Sequence, residues 1–356
     1  MPSNTTFREH FFSVDQGHKN AIGQFPTTAP LTPTSESNSP GPSLLARSSS
    51  SDVCINLDHM ELLVHVTQDS DLFNLGTGVE SYHPSGLALG LKEALRAPYL
   101  MHALLAFSAQ HLAYLHPDKS SHYLHQAVSL QTSAISLFNA AWNEVDESNC
   151  VAVLLFSSVL GHHLLADTLS KRDPGGIDAF IAHYVQCIEM HRGIYTIAKS
   201  AWPLLMESEL EPILSMSVGL TSRKPVGSDC QPILDLVESS VDLSEGEKDA
   251  CLVAIQYLQV GFDASAGKVE LHHNRLQMIC TWTMLVPPEV TSMLARKQPE
   301  ALVLLAYYAV LLHRGKELWQ AHDAGEYIFS LITEHLSLDW DSWLQWPRRK
   351  IMDNDV

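Results

Sequence analysis

Residues 99–115 read YLMHALLAFSAQHLAYL, and this stretch decides the fold class. Its apolar side chains neither alternate as a strand's would nor keep to one helical stripe. They occupy nearly the whole circumference, which is the pattern of a helix buried on most sides. Pro98 stands at a first helical turn, where the amide that proline lacks has no intrahelical acceptor. Pro117 stands where such a helix must stop.

The texture continues outward. In residues 123–138, Leu124, Ala127, Val128, Ile135 and Phe138 recur at steps of three, four and their multiples, one face of a helix. Residues 149–167 and 178–199 repeat the pattern on either side of the breaker Asp173-Pro174-Gly175-Gly176. Further helical segments are expected at 202–217, 245–260, 269–285, 289–297, 300–313, 325–336 and 341–346. Strand-like alternation between turn pairs is scarce. The pattern predicts an all-α chain of roughly ten or more helices, a single large multi-helix domain. Residues 218–244 are the only long irregular connection expected, and the place where two subdomains would divide. No fixed-period repeat is present, which argues against a solenoid.

The N-terminal part is different. Residues 26–51 hold five Pro, eight Ser and four Thr. Pro is excluded from helix interiors, and Ser and Thr compete locally for backbone hydrogen bonds, so residues 1–52 are expected to be a disordered tail or linker. Thr32-Pro33 and Ser39-Pro40 are phosphorylation-type pairs that any such segment contains by chance. The helical domain is expected to run from 53 to 356.

Composition bounds the function. With 46% hydrophobic and 17% charged residues there is ample material for a core, which excludes a wholly disordered chain. The net charge of −18 makes unaided binding of nucleic-acid phosphates a poor fit. The six cysteines (54, 150, 187, 230, 251 and 280) lie at least 21 positions apart, so no pair has zinc-site spacing and no disulfide scaffold is suggested. Neither a secretory signal nor a membrane span is read in the sequence.

Nineteen histidines invite a search for metal ligands. His122 and His125 are neighbours on a helix, and His162-His163 and His272-His273 are adjacent pairs, but none has the HExxH spacing of a zinc helix or a close carboxylate. There is no G-x-S-x-G elbow, and His83-Pro84-Ser85-Gly86 reads as a turn. Gly76-Thr77-Gly78 lacks the GK[ST] of a phosphate loop, and no aspartate-rich run could hold Mg²⁺. No catalytic residue, cofactor or metal is therefore expected. Trp340, Trp343 and Trp346 fall three apart, line one helix face before Pro347 ends it, and are candidates for an interface. The basic triplet Arg348-Arg349-Lys350 follows them, suited to a helix C-terminus or to a weak nuclear-import signal.

Three passages carry a resemblance. They are Leu57-Asp58-His59-Met60-Glu61-Leu62-Leu63-Val64-His65; then 97–109, APYLMHALLAFSA, continuing to His111-Leu112-Ala113; and residues 301–313 followed by Trp319, Gly325 and 340–347, WDSWLQWP. In order and spacing they are similar to the regulatory domain of fungal zinc-cluster transcription factors, in the branch of the sterol uptake control proteins, over about residues 55–348. The resemblance implies an all-helical domain that receives a signal, in some members a sterol, in an apolar pocket and adjusts an attached DNA-binding module. It also implies a place in the nucleus, with the cytoplasm as the alternative, and control of a secondary-metabolite or sterol-related gene set. The Ser/Pro-rich stretch would match the family's linker.

Two departures qualify it. The family's DNA-binding module needs six closely spaced cysteines, and only 52 residues precede the domain, with Cys54 the nearest. This speaks against direct DNA binding and for action through a DNA-binding partner, a homodimer partner, or an apolar ligand such as a sterol or polyketide; a zinc cluster encoded upstream is a further reading. The family's Gly-Trp-Gly step is here Asp323-Ala324-Gly325. The resemblance places a ligand pocket at Met284, Tyr308, Trp319, Gly325 and Phe329, which are apolar apart from one hydroxyl. The chain is therefore expected to be a non-enzymatic transcriptional regulator, the alternative being a helical pathway protein or enzyme on the same fold.

Overall fold

The computed structural model describes residues 55–69, 72, 83–141, 144–265 and 271–352. The expected tail, the Thr32-Pro33 and Ser39-Pro40 pairs and the Gly76-Thr77-Gly78 step lie outside them. The described residues hold fifteen α-helices and no strand. In chain order these are α1 (Leu57–Gln68), α2 (His83–Ala94), α3 (Pro98–Leu115), α4 (Ser120–Ala141), α5 (Cys150–Ser170), α6 (Gly176–Ser200), α7 (Trp202–Leu205) and α8 (Glu211–Thr221). They continue as α9 (Gln231–Ser239), α10 (Glu245–Ser265), α11 (Leu271–Leu285), α12 (Pro288–Ala295), α13 (Pro299–Arg314), α14 (Ala324–His335) and α15 (Asp341–Met352). Pro98 opens α3 at its first turn, and a 3₁₀ turn, Pro117–Lys119, follows its end.

Two helices are centres of packing. α3 is buried from Ala103 to Ala113 and is flanked by α1, α4 and α5. α13 is buried over Glu300–His313 and is flanked by α10, α11, α14 and α15. Apolar area removed from water is the main favourable contribution to folding, so such all-round helices organise their neighbours. α5 and α6 join the two assemblies: Val153, Phe156 and Leu160 pack with α3, whereas Leu165, Leu169, Phe180 and Tyr184 pack with the α13 core. Arg172, just after α5, pairs with Asp323 and lies 4.1 Å over the Tyr327 ring.

Several expectations are corrected. Residues 202–217 form two helices, because the Ser208 hydroxyl bonds to Leu205 O and Leu210 N in the intervening turn and Pro212 starts a new helix rather than continuing the old one. Residues 218–244 are not irregular throughout. They contain α9, whose Ile233, Leu236 and Val237 bury one face in the α13 core. His83-Pro84-Ser85-Gly86 opens α2 instead of making an isolated turn. Pro347 does not end its helix: α15 runs through it to Met352, because Leu344, Pro347 and Ile351 share one buried face. α5 is long and apolar enough to cross a membrane by length and composition, but most of that length is buried between α3 and α6 within the protein.

Candidate functional site

The five expected pocket residues do not gather into one site. Tyr308 and Phe329 are fully buried in the α13 core, and Met284 packs half-buried against the same cluster. The Tyr308 ring stacks on Trp282 at 4.4 Å and its hydroxyl donates to Ile279 O at 3.2 Å. Gly325 serves helix packing: a Cβ there would lie 2.5 Å from Ala309 O and 2.7 Å from His313 N, so its role is to let α14 approach α13. Trp319 belongs to the other assembly and packs on the α3 cluster. Surface cavities of about 450 and 530 Å³ lie elsewhere, the first among Arg96, Tyr99, Phe138, Asn149 and Val153 and the second beside Cys230, Leu234 and Ile255.

The three tryptophans pack on their own chain. Trp346 stacks on Tyr307 with 4.9 Å between ring centres and 6° between planes, and lies 5.3 Å from Phe262. Trp340, in the 3₁₀ turn Leu338–Trp340, and Trp343 are half-buried against the α13 core. The basic triplet forms part of the last turns of α15, where Arg348 pairs with Asp341 at 2.5 Å.

The described polar groups of most chemical interest meet where Trp319 arrives. α3 is apolar almost throughout, yet it buries His111. His111 Nδ1 lies 3.1 Å from His65 Nε2 on α1, and His65 Nδ1 lies 3.8 Å from Oδ2 of Asp69, the residue that caps α1. Asp69 Oδ1 accepts from Leu72 N at 3.2 Å. On the other side the Trp319 ring stacks on His111 at 4.8 Å, with Tyr114 and Phe107 completing an aromatic wall. His322 meets Tyr114 edge-on at 5.8 Å. Burial lowers both imidazole pKa values, His111 to about 4, against the opposing pull of Asp69. Both rings are thus neutral near pH 7, with one nitrogen donating and one accepting across the 3.1 Å gap. Trp319 Nε1, Gln320 Oε1 and Gln110 Oε1 are buried with no hydrogen-bond partner among the described residues.

Of the histidine pairs singled out in the sequence, His122 and His125 are exposed on α4, and the side chains of His272 and His273 lie outside the described residues. His163 is buried against Phe107. His162 Nδ1 lies 3.4 Å from Cys280 Sγ. This pair is not poised for nucleophilic chemistry, since burial pushes the thiol pKa far up and the imidazole down to about 4, both toward the neutral forms. Close by, His191 bonds Gly161 O at 2.8 Å and the Thr283 hydroxyl at 2.5 Å. His65 and His111 escaped the sequence reading because they lie 46 positions apart and only the α1–α3 packing joins them. The one local signal was His65 and Asp69 at i, i+4.

No known protein family matches this chain, and a search of characterised proteins returns no relative.

Proposed function

We propose that this chain is a transcription-regulatory protein of the fungal zinc-cluster kind, acting through a DNA-binding partner or in response to an apolar effector. The observation that carries this reading is the placement of the three similar passages. Residues 57–65 lie in α1, 97–113 form most of the central helix α3, 301–313 form most of the central helix α13, Gly325 stands in the first turn of α14, and 340–347 reach into α15. The resemblance therefore falls on the helices that build both assemblies, not on scattered surface segments. For an effector, the cavity at the meeting of α3, α4 and α5 offers about 450 Å³, with Tyr99, Phe138 and Val153 as apolar walls and Arg96 as a polar one.

The test is transcript abundance after deletion of the gene, with neighbouring biosynthetic genes measured alongside. A coordinated fall or rise across them is the expected result. Unchanged transcripts with one product lost would overturn the regulatory reading in favour of a pathway protein or enzyme.

A further inference from the structure

We propose that His65, Asp69 and His111 form a zinc site that ties the end of α1 to the centre of α3. One ligating atom from each residue lies within 4.8 Å of the others. The two ring nitrogens, His65 Nε2 and His111 Nδ1, are already 3.1 Å apart. A tetrahedral zinc ion with Zn–N bonds of about 2.05 Å separates two ligands by about 3.3 Å, so the imidazoles need open by only a few tenths of an ångström. Two imidazoles and one carboxylate are a recognised ligand set for this ion, and with three protein ligands a fourth position is left for water.

The surroundings suit the assignment. His65 and Asp69 are one helical turn apart, so both face α3 from the last turn of α1. The Leu72 amide orients the carboxylate, and the stacked Trp319 fixes the plane of His111, as outer contacts do in established metal sites. On binding, the ring now donating across the gap moves its proton to its other nitrogen, so both facing lone pairs meet the ion. The proposal is independent of the regulatory reading, since it concerns metal binding alone.

The experiment uses the full chain, stripped with a chelator and titrated with Zn²⁺ by calorimetry, with Co²⁺ as the spectroscopic stand-in. One equivalent of Zn²⁺ is expected, with visible d–d absorption for Co²⁺ and quenching of tryptophan emission that Trp319→Phe reduces. His65→Gln and Asp69→Asn are each expected to weaken binding by at least the roughly 10–100-fold that loss of an outer-shell partner costs. The double variant His122→Gln/His125→Gln, which removes an exposed pair on α4, is expected to bind as the parent does. Circular dichroism of each variant checks that the helices are intact, and the conservative Asp69→Asn keeps the Leu72 contact if His65→Gln does not fold. Absence of stoichiometric binding, or affinity unchanged in Asp69→Asn, or affinity lost in the α4 double variant, overturns the proposal.

Discussion

Gly325 shows how much one missing methyl can decide. The space its Cβ would need is taken by backbone, the carbonyl of Ala309 and the amide of His313, which cannot rotate away as a side chain end can. Gly325→Ala is expected to lower stability by about 2–3 kcal/mol, the cost of forcing overpacking on a well-packed core, read as a shift in the urea midpoint at unchanged slope. Gly161 is a similar case, its Cβ position lying 2.5 Å from Ile194 Cδ1 and 3.0 Å from the His191 ring. Both glycines stand in helical segments, where glycine otherwise disfavours the helix by up to about 1 kcal/mol. In the sequence Gly325 is marked only through the resemblance, as a candidate pocket residue, and Gly161 is not marked at all. Only the neighbouring helix shows that each is a point of close approach.

At the scale of elements, α15 is the instructive case. A spacing of three put Trp340, Trp343 and Trp346 on one face, and the structure turns that face toward the α13 core. Their partners are Tyr307 and Phe262 for Trp346, both well before α15 in the chain, so no local signal could reveal them. Trp346→Ala is expected to cost about 3 kcal/mol in chemical denaturation, and Trp340→Ala, in the 3₁₀ turn at the edge of the element, about 1 kcal/mol. Equal, near-zero effects would show that the stripe contributes nothing to the core. The break between α7 and α8 has a local signal in the sequence: Pro212 cannot sit inside a continuous helix, and Ser208 is a residue type that captures backbone groups. The start of α9 at Gln231-Pro232 carried the same kind of signal, proline in a first helical turn.

Across the whole molecule, the junction of α5, α6 and α11 buries His163 and His191 and partly buries His162, and that sets a pH dependence. Burial holds His162 and His163 at about 4 against an ordinary 6.5, and it lowers His191 as well. Among the described residues, His191 and the Cys280 thiol stand beside His162, Asp167 opposes the shift at His163, and His191 meets the Thr283 hydroxyl and Gly161 O. Below about 6.5 the unfolded chain takes up these protons and the folded chain does not until about 4. Their contribution is therefore intact above 6.5 and lost as pH falls through that window. The unfolding free energy is expected to fall between pH 6.5 and 5 by up to about 1.4 kcal/mol per pH unit for each proton taken up, read as a falling melting temperature. His163→Leu is expected to flatten the slope while leaving stability near neutrality largely unchanged. A pH-independent melting temperature over that range would count against the buried, neutral state of these rings.

The sequence by itself determined the helical class, the central helix at 99–115 and most helix boundaries, because helical periodicity and proline placement are local properties of the chain. Residues 99–115 are apolar on nearly all sides, and that alone required them to be surrounded by other helices; that 300–313 is a second such centre is a finding of the structure. Which helices surround them was left to tertiary structure. So were the separation of Trp319 from Tyr308 and Phe329, the inward turn of the tryptophan face, and the meeting of His65 and Asp69 with His111. These depend on how segments tens to hundreds of residues apart pack, and side-chain spacing along one helix carries no record of the neighbour it will face.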